Sequence, residues 1–336
     1  MQNPSAATAV TPPPSACACV GPPFSRRGFL IGAAAATLAY RASGAVGQKS
    51  GDDARDAAGG LPIIDIHVHC THRNRPDEQI LVHQQATGVK ATVLLPAGET
   101  GGLAADAAGN AHVVAFARRF PGRFFYFANE NVFRPNATRE IERYLKGGAI
   151  GIGELKDKGA CDSPDMQRIA EVARDYDVPM LIHFQDRAYN DGYGRFHRML
   201  EKYPTVKFIG HAQTFWANID KNHQAAGGLY PKGPVVPGGL TDRWLADYPN
   251  LYGDLAAGSG NNALVRDPEF TRGFLVRHQD KLLYGSDCFC ATGAGPQCHA
   301  AAKLGFLKEL CPAEDIRKKL LSGNARKLLK LPARSA

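Results

Sequence analysis

The sequence predicts an α/β fold, a (β/α)8 TIM barrel with extra C-terminal helices, and three observations carry that expectation. From Leu61 onward, short β-branched runs alternate with helical patterns, as in the βαβ units that build a parallel sheet. Eight strand and helix alternations over about 250 residues match the usual span of this barrel. No Gly-x-Gly-x-x-Gly fingerprint follows the first strand, which argues against an open doubly wound sheet.

The elements are expected in this order. Ile63–His67 is the first strand and Asp77–Thr87 its helix; Ala91–Leu95 precedes Ala111–Phe120, and Phe124–Phe127 precedes Thr138–Lys146. Ala149–Gly153 leads to Pro164–Asp175, Met180–His183 to Phe196–Tyr203, and Lys207–Gly210 to Thr241–Asp247. Leu251–Asp254 and Leu282–Gly285 close the set, with helices over Pro268–His278 and Pro296–Leu310. Glu314–Leu321 and Asn324–Leu331 read as additional helices packed on the outside of the barrel. Asp220–Gly239, which carries Tyr230 among Gly and Pro residues, is a long loop after the sixth strand; such loops serve as lids, substrate contacts or plain surface insertions.

Composition supports a packed domain. With 44% hydrophobic and 21% charged residues in 336, the chain can bury a core, which excludes a disordered, collagen-like or disulfide-scaffold protein. Outside the N-terminal region no apolar run reaches about 18 residues, so a polytopic membrane protein is not expected. The net charge is +8, but residues 1–45 hold three arginines and no acid, which leaves +5 for the rest. That excess is spread out except for Arg317, Lys318, Lys319, Arg326, Lys327 and Lys330, read as the solvated face of terminal helices. A nucleic-acid partner is therefore not expected.

Residues 1–45 read as a twin-arginine signal peptide. Ser25-Arg26-Arg27-Gly28-Phe29-Leu30 precedes the apolar Ile31–Tyr40 and the small residues Ser43-Gly44-Ala45, after which cleavage is expected. Residues 46–60 are a flexible linker and 61–336 the barrel. The expected partners are the twin-arginine export machinery and a small-molecule substrate, the location periplasmic or extracellular, with no stable membrane insertion after cleavage. A homo-oligomer is compatible with the sequence. Beyond the signal, six thiols remain at Cys70, Cys161, Cys288, Cys290, Cys298 and Cys311; a bridge such as Cys290–Cys298 and buried free thiols both fit their spacing.

Ligand-type residues recur at the C-terminal ends of the expected strands, where this barrel keeps its reactive groups. The first strand ends in Asp65-Ile66-His67-Val68-His69, and side-chain alternation puts His67 and His69 on one face. Glu154 follows the fourth strand, His183 ends the fifth, His211 follows the sixth and Asp287 the eighth. Two imidazoles from one strand, a third from another and a carboxylate form a nitrogen and oxygen set suited to Zn²⁺ or a similar divalent ion, with a position open for water. Asp287 is expected to take the proton of that water as well. For Glu154 the structural alternative is a rim ion pair with Lys156. Arg73 and Arg75 are positioned to clamp a substrate carboxylate, and Gln213 and Trp216, with Phe184, Gln185 and Phe215, to wall the pocket. Asp65 is read as hydrogen-bonding its barrel neighbours or buttressing a ligand histidine, and Asp254 as doing the same or touching substrate.

With these residues the chain resembles the amidohydrolase superfamily of metal-dependent barrel hydrolases, in particular amidohydrolase family 2, which also contains decarboxylases. The resemblance spans about Leu61 to Leu331 and includes Ser322-Gly323-Asn324-Ala325-Arg326-Lys327-Leu328-Leu329, similar to an ending common in that group. It implies that His67, His69, His183 and Asp287 hold a metal ion. His211 would bind a second ion or act as a catalytic acid and base beside the catalytic Asp287. Glu154 in Gly-Ile-Gly-Glu matches the bridging glutamate of the TatD-like branch, whereas single-metal decarboxylases usually lack a ligand there, so one ion or two stays open. The implied activity is attack of a metal-activated water on an amide, lactone or ester carbon. The alternatives are non-oxidative decarboxylation of a small aromatic or unsaturated acid, and a non-catalytic exported binding protein.

Overall fold

The computed structural model describes residues 60–98, 106–224, 228–311 and 313–332. The expected signal peptide, with Cys17 and Cys19, and all but the last residue of the expected linker lie outside the described residues. All described residues belong to one compact unit, and no helix among them is long and apolar enough to cross a membrane.

Eight parallel strands form the barrel: β1 (Ile63–Val68), β2 (Val89–Leu94), β3 (Phe124–Tyr126), β4 (Ile152–Leu155), β5 (Met180–His183), β6 (Phe208–His211), β7 (Leu251–Asp254) and β8 (Leu282–Leu283). Pairing runs β1-β2-β3 and β4-β5-β6-β7-β8. Both gaps are bridged by backbone. Ala128 N–H donates to the Gly151 carbonyl at 2.9 Å and Gly153 N–H to the Ala128 carbonyl at 2.8 Å, while Ile66 N–H reaches the Tyr284 carbonyl at 3.1 Å. These bonds also explain why β4 starts later than expected: Ala149–Gly151 is spent on the seam with β3.

The outer layer contains α1 (Glu78–Thr87), α2 (Asn110–Arg118), α3 (Ala137–Lys146), α4 (Pro164–Asp175), α5 (His197–Lys202), α6 (Ala212–Ala217), α7 (Leu240–Asp247), α8 (Ala257–Val265), α9 (Pro268–Arg277) and α10 (His299–Leu310). Local chemistry sets several ends. Ser163 and Asp267 accept the N–H of Met166 and Phe270, each followed by proline in the first helical turn, and Gly88 ends α1 with φ 78°. Two helices are absent from the sequence expectation. α6 follows β6 without a turn signal, and α8 (Ala-Gly-Ser-Gly-Asn-Asn-Ala-Leu-Val) has the composition of a loop; packing, not propensity, makes them helical.

The loop after β6 is anchored. Arg266, just after α8, pairs with Asp220 at 2.7 Å and donates to the Gly233 and Pro234 carbonyls, and Asn262 donates to Pro231.

The C-terminal helices α11 (Glu314–Lys318) and α12 (Asn324–Leu328), joined by a wider turn over Lys319–Gly323, do more than cover the outside. Ala325, Leu329 and Leu331 share one apolar cluster with Ile64, Ile66, Ala91, Val93, Leu95, Phe127, Leu181, Ile209 and Leu283. Leu181 and Ile209 lie two residues before His183 and His211, hence on the same face. The end of the chain thus packs into the apolar interior, opposite the strand ends that carry the histidines. Asn324 holds it there, donating to the Gln279 and Leu282 carbonyls at 2.7 and 2.8 Å. Asn324→Ala should lower stability by about 1–3 kcal/mol in urea unfolding, and an unchanged midpoint would show that the apolar contacts alone hold the segment.

Candidate metal centre

The strand ends meet at one cluster. His67 and His69 come from the end of β1, Glu154 from β4, His183 from β5, His211 from β6, Asp254 from β7, and Asp287 from the segment after β8. Asp65 Oδ1 accepts the backbone N–H of His67 at 3.1 Å and of Ser286 at 2.9 Å, tying the irregular end of β1 to that segment. Asp287, at φ 48°, donates its N–H to the His67 carbonyl at 2.8 Å.

Two glycines make room. A Cβ on Gly285 would lie 2.2 Å from Asp254 Oδ1 and 2.9 Å from His67 Cβ. On Gly153, at φ +133°, it would lie 2.5 Å from the Leu181 carbonyl oxygen.

Hydrogen bonds set the state of each imidazole. His69 Nδ1 lies 2.8 Å from the Leu95 carbonyl oxygen, which only accepts, so this nitrogen carries the hydrogen. His67 Nδ1 likewise donates to Asp254 Oδ2 at 2.6 Å. In their neutral forms the two rings therefore turn bare Nε2 lone pairs toward each other, 3.2 Å apart. Glu154 Oε2 lies 3.6 and 3.3 Å from these nitrogens, and Asp287 Oδ1 lies 3.9 and 3.5 Å from them.

Four acceptors converge with no donor between them, which demands positive charge. A proton on His67 is one answer: burial alone would lower this imidazole, but the Asp254 and Asp287 carboxylates hold it well above its ordinary range. The buried Asp287 Oδ1 still has no hydrogen-bond partner among the described residues. A divalent ion would satisfy all four donor atoms, and nitrogen with carboxylate oxygen suits Zn²⁺ or a similar ion.

The other oxygen of Glu154 faces a second pair. Oε1 lies 2.6 Å from His183 Nδ1 and 3.7 Å from His211 Nε2. Burial lowers the His183 imidazole to about 4. Its Nδ1 donates to Glu154 Oε1, so the neutral ring turns its Nε2 lone pair toward the Gln185 side-chain amide at 3.3 Å. Burial works against the charge of Glu154, but the His183 imidazole that donates to it holds it well below the usual carboxylate range. Asp254, fully buried, orients His67 through Oδ2, and the same oxygen lies 3.3 Å from His211 Nδ1, which makes no hydrogen bond among the described residues. His67 Nε2 thereby points to the centre. Ligand-atom groups close enough to share an ion are His67, His69 and Glu154; Glu154, His183 and His211; and His67, His211 and Asp254.

The family model described as amidohydrolase matches residues 64–331. The chain belongs to the amidohydrolase family. Solved structures agree on the fold. An uncharacterised TIM-barrel protein of Bordetella bronchiseptica has a TM-score of 0.59 at 17% identity, covering 81% of this chain and 99% of that one. A putative 2-pyrone-4,6-dicarboxylic acid hydrolase of Pseudomonas putida has 0.53 at 14%, covering 82% and 99%. A dihydroxybenzoic acid decarboxylase of Polaromonas sp. JS666, with bound manganese and an inhibitor, has 0.50 at 18%, covering 81% and 97%. No curated protein matches the chain.

In this amidohydrolase the expected ligands His67, His69, Glu154, His183, His211 and Asp287 all lie in the cluster, and Asp254 joins them. The rim ion pair considered for Glu154 is not formed; Lys156 instead sits 5.2 Å from the Tyr189 ring. Two expected substrate contacts are redirected. Arg75 is buried and spends its terminal nitrogens on the carbonyls of Cys288 at 2.6 Å and His69 at 3.1 Å, so it braces the loop instead of offering a clamp. Trp216 is buried behind the strands, donating to the Asp254 carbonyl at 2.9 Å and packing on Phe215. Arg73 is exposed, 4.4 Å over the Phe289 ring. Gln213 donates to Tyr230 at 3.3 Å while its buried Oε1 has no partner among the described residues. His72, in the segment after β1, lies 3.6 Å from Asp287 Oδ1.

Gly285→Ala should push Asp254 off His67 and weaken divalent-ion binding by about 10- to 100-fold. Calorimetric titration with Zn²⁺ measures this; unchanged affinity would show that Asp254 does not orient the ligands.

Proposed function

We propose that this amidohydrolase is a metal-dependent hydrolase acting on an amide, lactone or ester carbon of a small molecule. Glu154 carries the reading, because its two oxygens divide between two sets of imidazole nitrogens. His67, His69, Asp287 and Glu154 Oε2 would hold one ion, and His183, His211 and Glu154 Oε1 a second, with Zn²⁺ as the proposed metal. Bound there, such ions lower the pKa of water from about 15.7 to roughly 7 and polarise a substrate carbonyl.

The protein's own groups do the rest. Asp287, partly open to the mouth, accepts the proton from the attacking water. Asp254 keeps His67 from rotating, and His211 either completes the second ligand set or passes a proton to the leaving group. Arg73 and Gln213 are the side chains left to contact substrate at the rim.

Elemental analysis, combined with turnover of amide, lactone, phosphoester and aromatic carboxylate libraries in ¹⁸O-labelled water, tests this. Two equivalents of metal, ¹⁸O in the product, and loss of both metal and at least ~10²-fold of turnover in His67→Ala and Asp287→Ala are expected. Carbon dioxide release without ¹⁸O would replace hydrolysis with non-oxidative decarboxylation, and full metal content with unchanged turnover in both variants would reject the site.

Export by the twin-arginine route belongs to the same proposal and rests on Arg26 and Arg27. Replacing both with lysine should retain the chain in the cytoplasm in cell fractionation; continued export would reject it.

A further inference from the structure

A second donor set lies under the loop that carries Asp287. His83 of α1, Cys288 of that loop and Cys298 at the N-cap of α10 are 2%, 2% and 0% exposed. Cys298 Sγ lies 3.6 Å from His83 Nε2 and 3.8 Å from Cys288 Sγ. All three ligand atoms lie within 4.8 Å of one another, and all six described cysteines are free thiols.

These distances are the edges of a tetrahedron. Zn–S bonds of about 2.3 Å and Zn–N bonds of about 2.0–2.1 Å at tetrahedral angles separate two sulfurs by about 3.8 Å, and sulfur from nitrogen by about 3.6 Å. A disulfide would instead need the sulfurs at about 2.05 Å. Cys298 caps a 12-residue helix, its Sγ accepting the Ala301 N–H at 3.4 Å, which fixes where the sulfur sits. Half-buried Cys290 packs against the pair, its Sγ 3.4 Å from Thr292 Oγ1 and 3.7 Å from the Ala294 carbonyl oxygen. The backbone is held in place around them. Arg75 binds the carbonyls of Cys288 and Cys290, and a Cβ on Gly293 would lie 2.9 Å from the His83 carbonyl oxygen, so the loop lies directly on α1.

We propose that His83, Cys288 and Cys298 form a structural site for a thiophilic divalent ion, Zn²⁺ foremost. Binding releases the thiol protons to solvent and clips the loop after β8 to α1 and α10. Asp287, next to Cys288, is thereby fixed from behind. The inference is independent of the reaction at the barrel mouth.

X-ray absorption at the zinc edge of the Zn²⁺-loaded full chain tests it, because the mouth offers nitrogen and oxygen ligands alone and any sulfur shell must come from elsewhere. A sulfur shell at about 2.3 Å is expected, with Cys288→Ser/Cys298→Ser losing that shell and one equivalent of zinc while nitrogen- and oxygen-bound zinc persists. Three outcomes would overturn the proposal: no sulfur shell in the wild-type chain, a shell that survives in the folded double variant, or peptide mapping that finds a Cys288–Cys298 disulfide. Should the double variant not fold, the wild-type spectrum and the peptide map still decide.

Discussion

Lone pairs that face one another without a proton between them are the constraint around which the barrel mouth is built. His67 and His69 cannot turn their Nε2 atoms away, because Asp254 and the Leu95 carbonyl hold the opposite side of each ring. Glu154 and Asp287 add negative charge to the same point, and Asp254 is itself buried. Each buried charge costs several kcal/mol unless it is compensated. The fold therefore stores a demand for positive charge at the place where substrate can enter.

That demand is kept sharp by what lies on either side. Below the histidines the interior is apolar and plugged by Ala325, Leu329 and Leu331, so little water is available to screen the charges. Above them, loops are braced by buried side chains. Arg75 holds the segment after β8, and Arg266 holds the segment after β6 through Asp220. Both arginines work as scaffolding, through the bonds they make to backbone and carboxylate.

A good part of this was legible in the one-dimensional text. β-branched runs marked the strands because a strand buried on both faces leaves a local apolar signature. The pair His67 and His69 followed from the two-residue period, and Met180–His183 and Leu251–Asp254 were placed to the residue. Helices α6 and α8 were not visible, since Ala212–Ala217 and Ala257–Val265 owe their form to what packs against them. Arg75 and Trp216 misled for a related reason. A polar group on a mouth loop looks available until the fold supplies a carbonyl that claims it.

Residue spacing and chemical type by themselves pointed to the barrel class and to histidines and carboxylates at the strand ends, because each strand brings its own side chain to its own end, and a resemblance supplied the family. Only the folded chain decided that Glu154 divides its oxygens between two imidazole pairs, that Asp254 orients His67, and that His83 meets Cys288 and Cys298. Those contacts join residues tens to hundreds of positions apart, and no local pattern encodes a distance that arises when the cylinder closes.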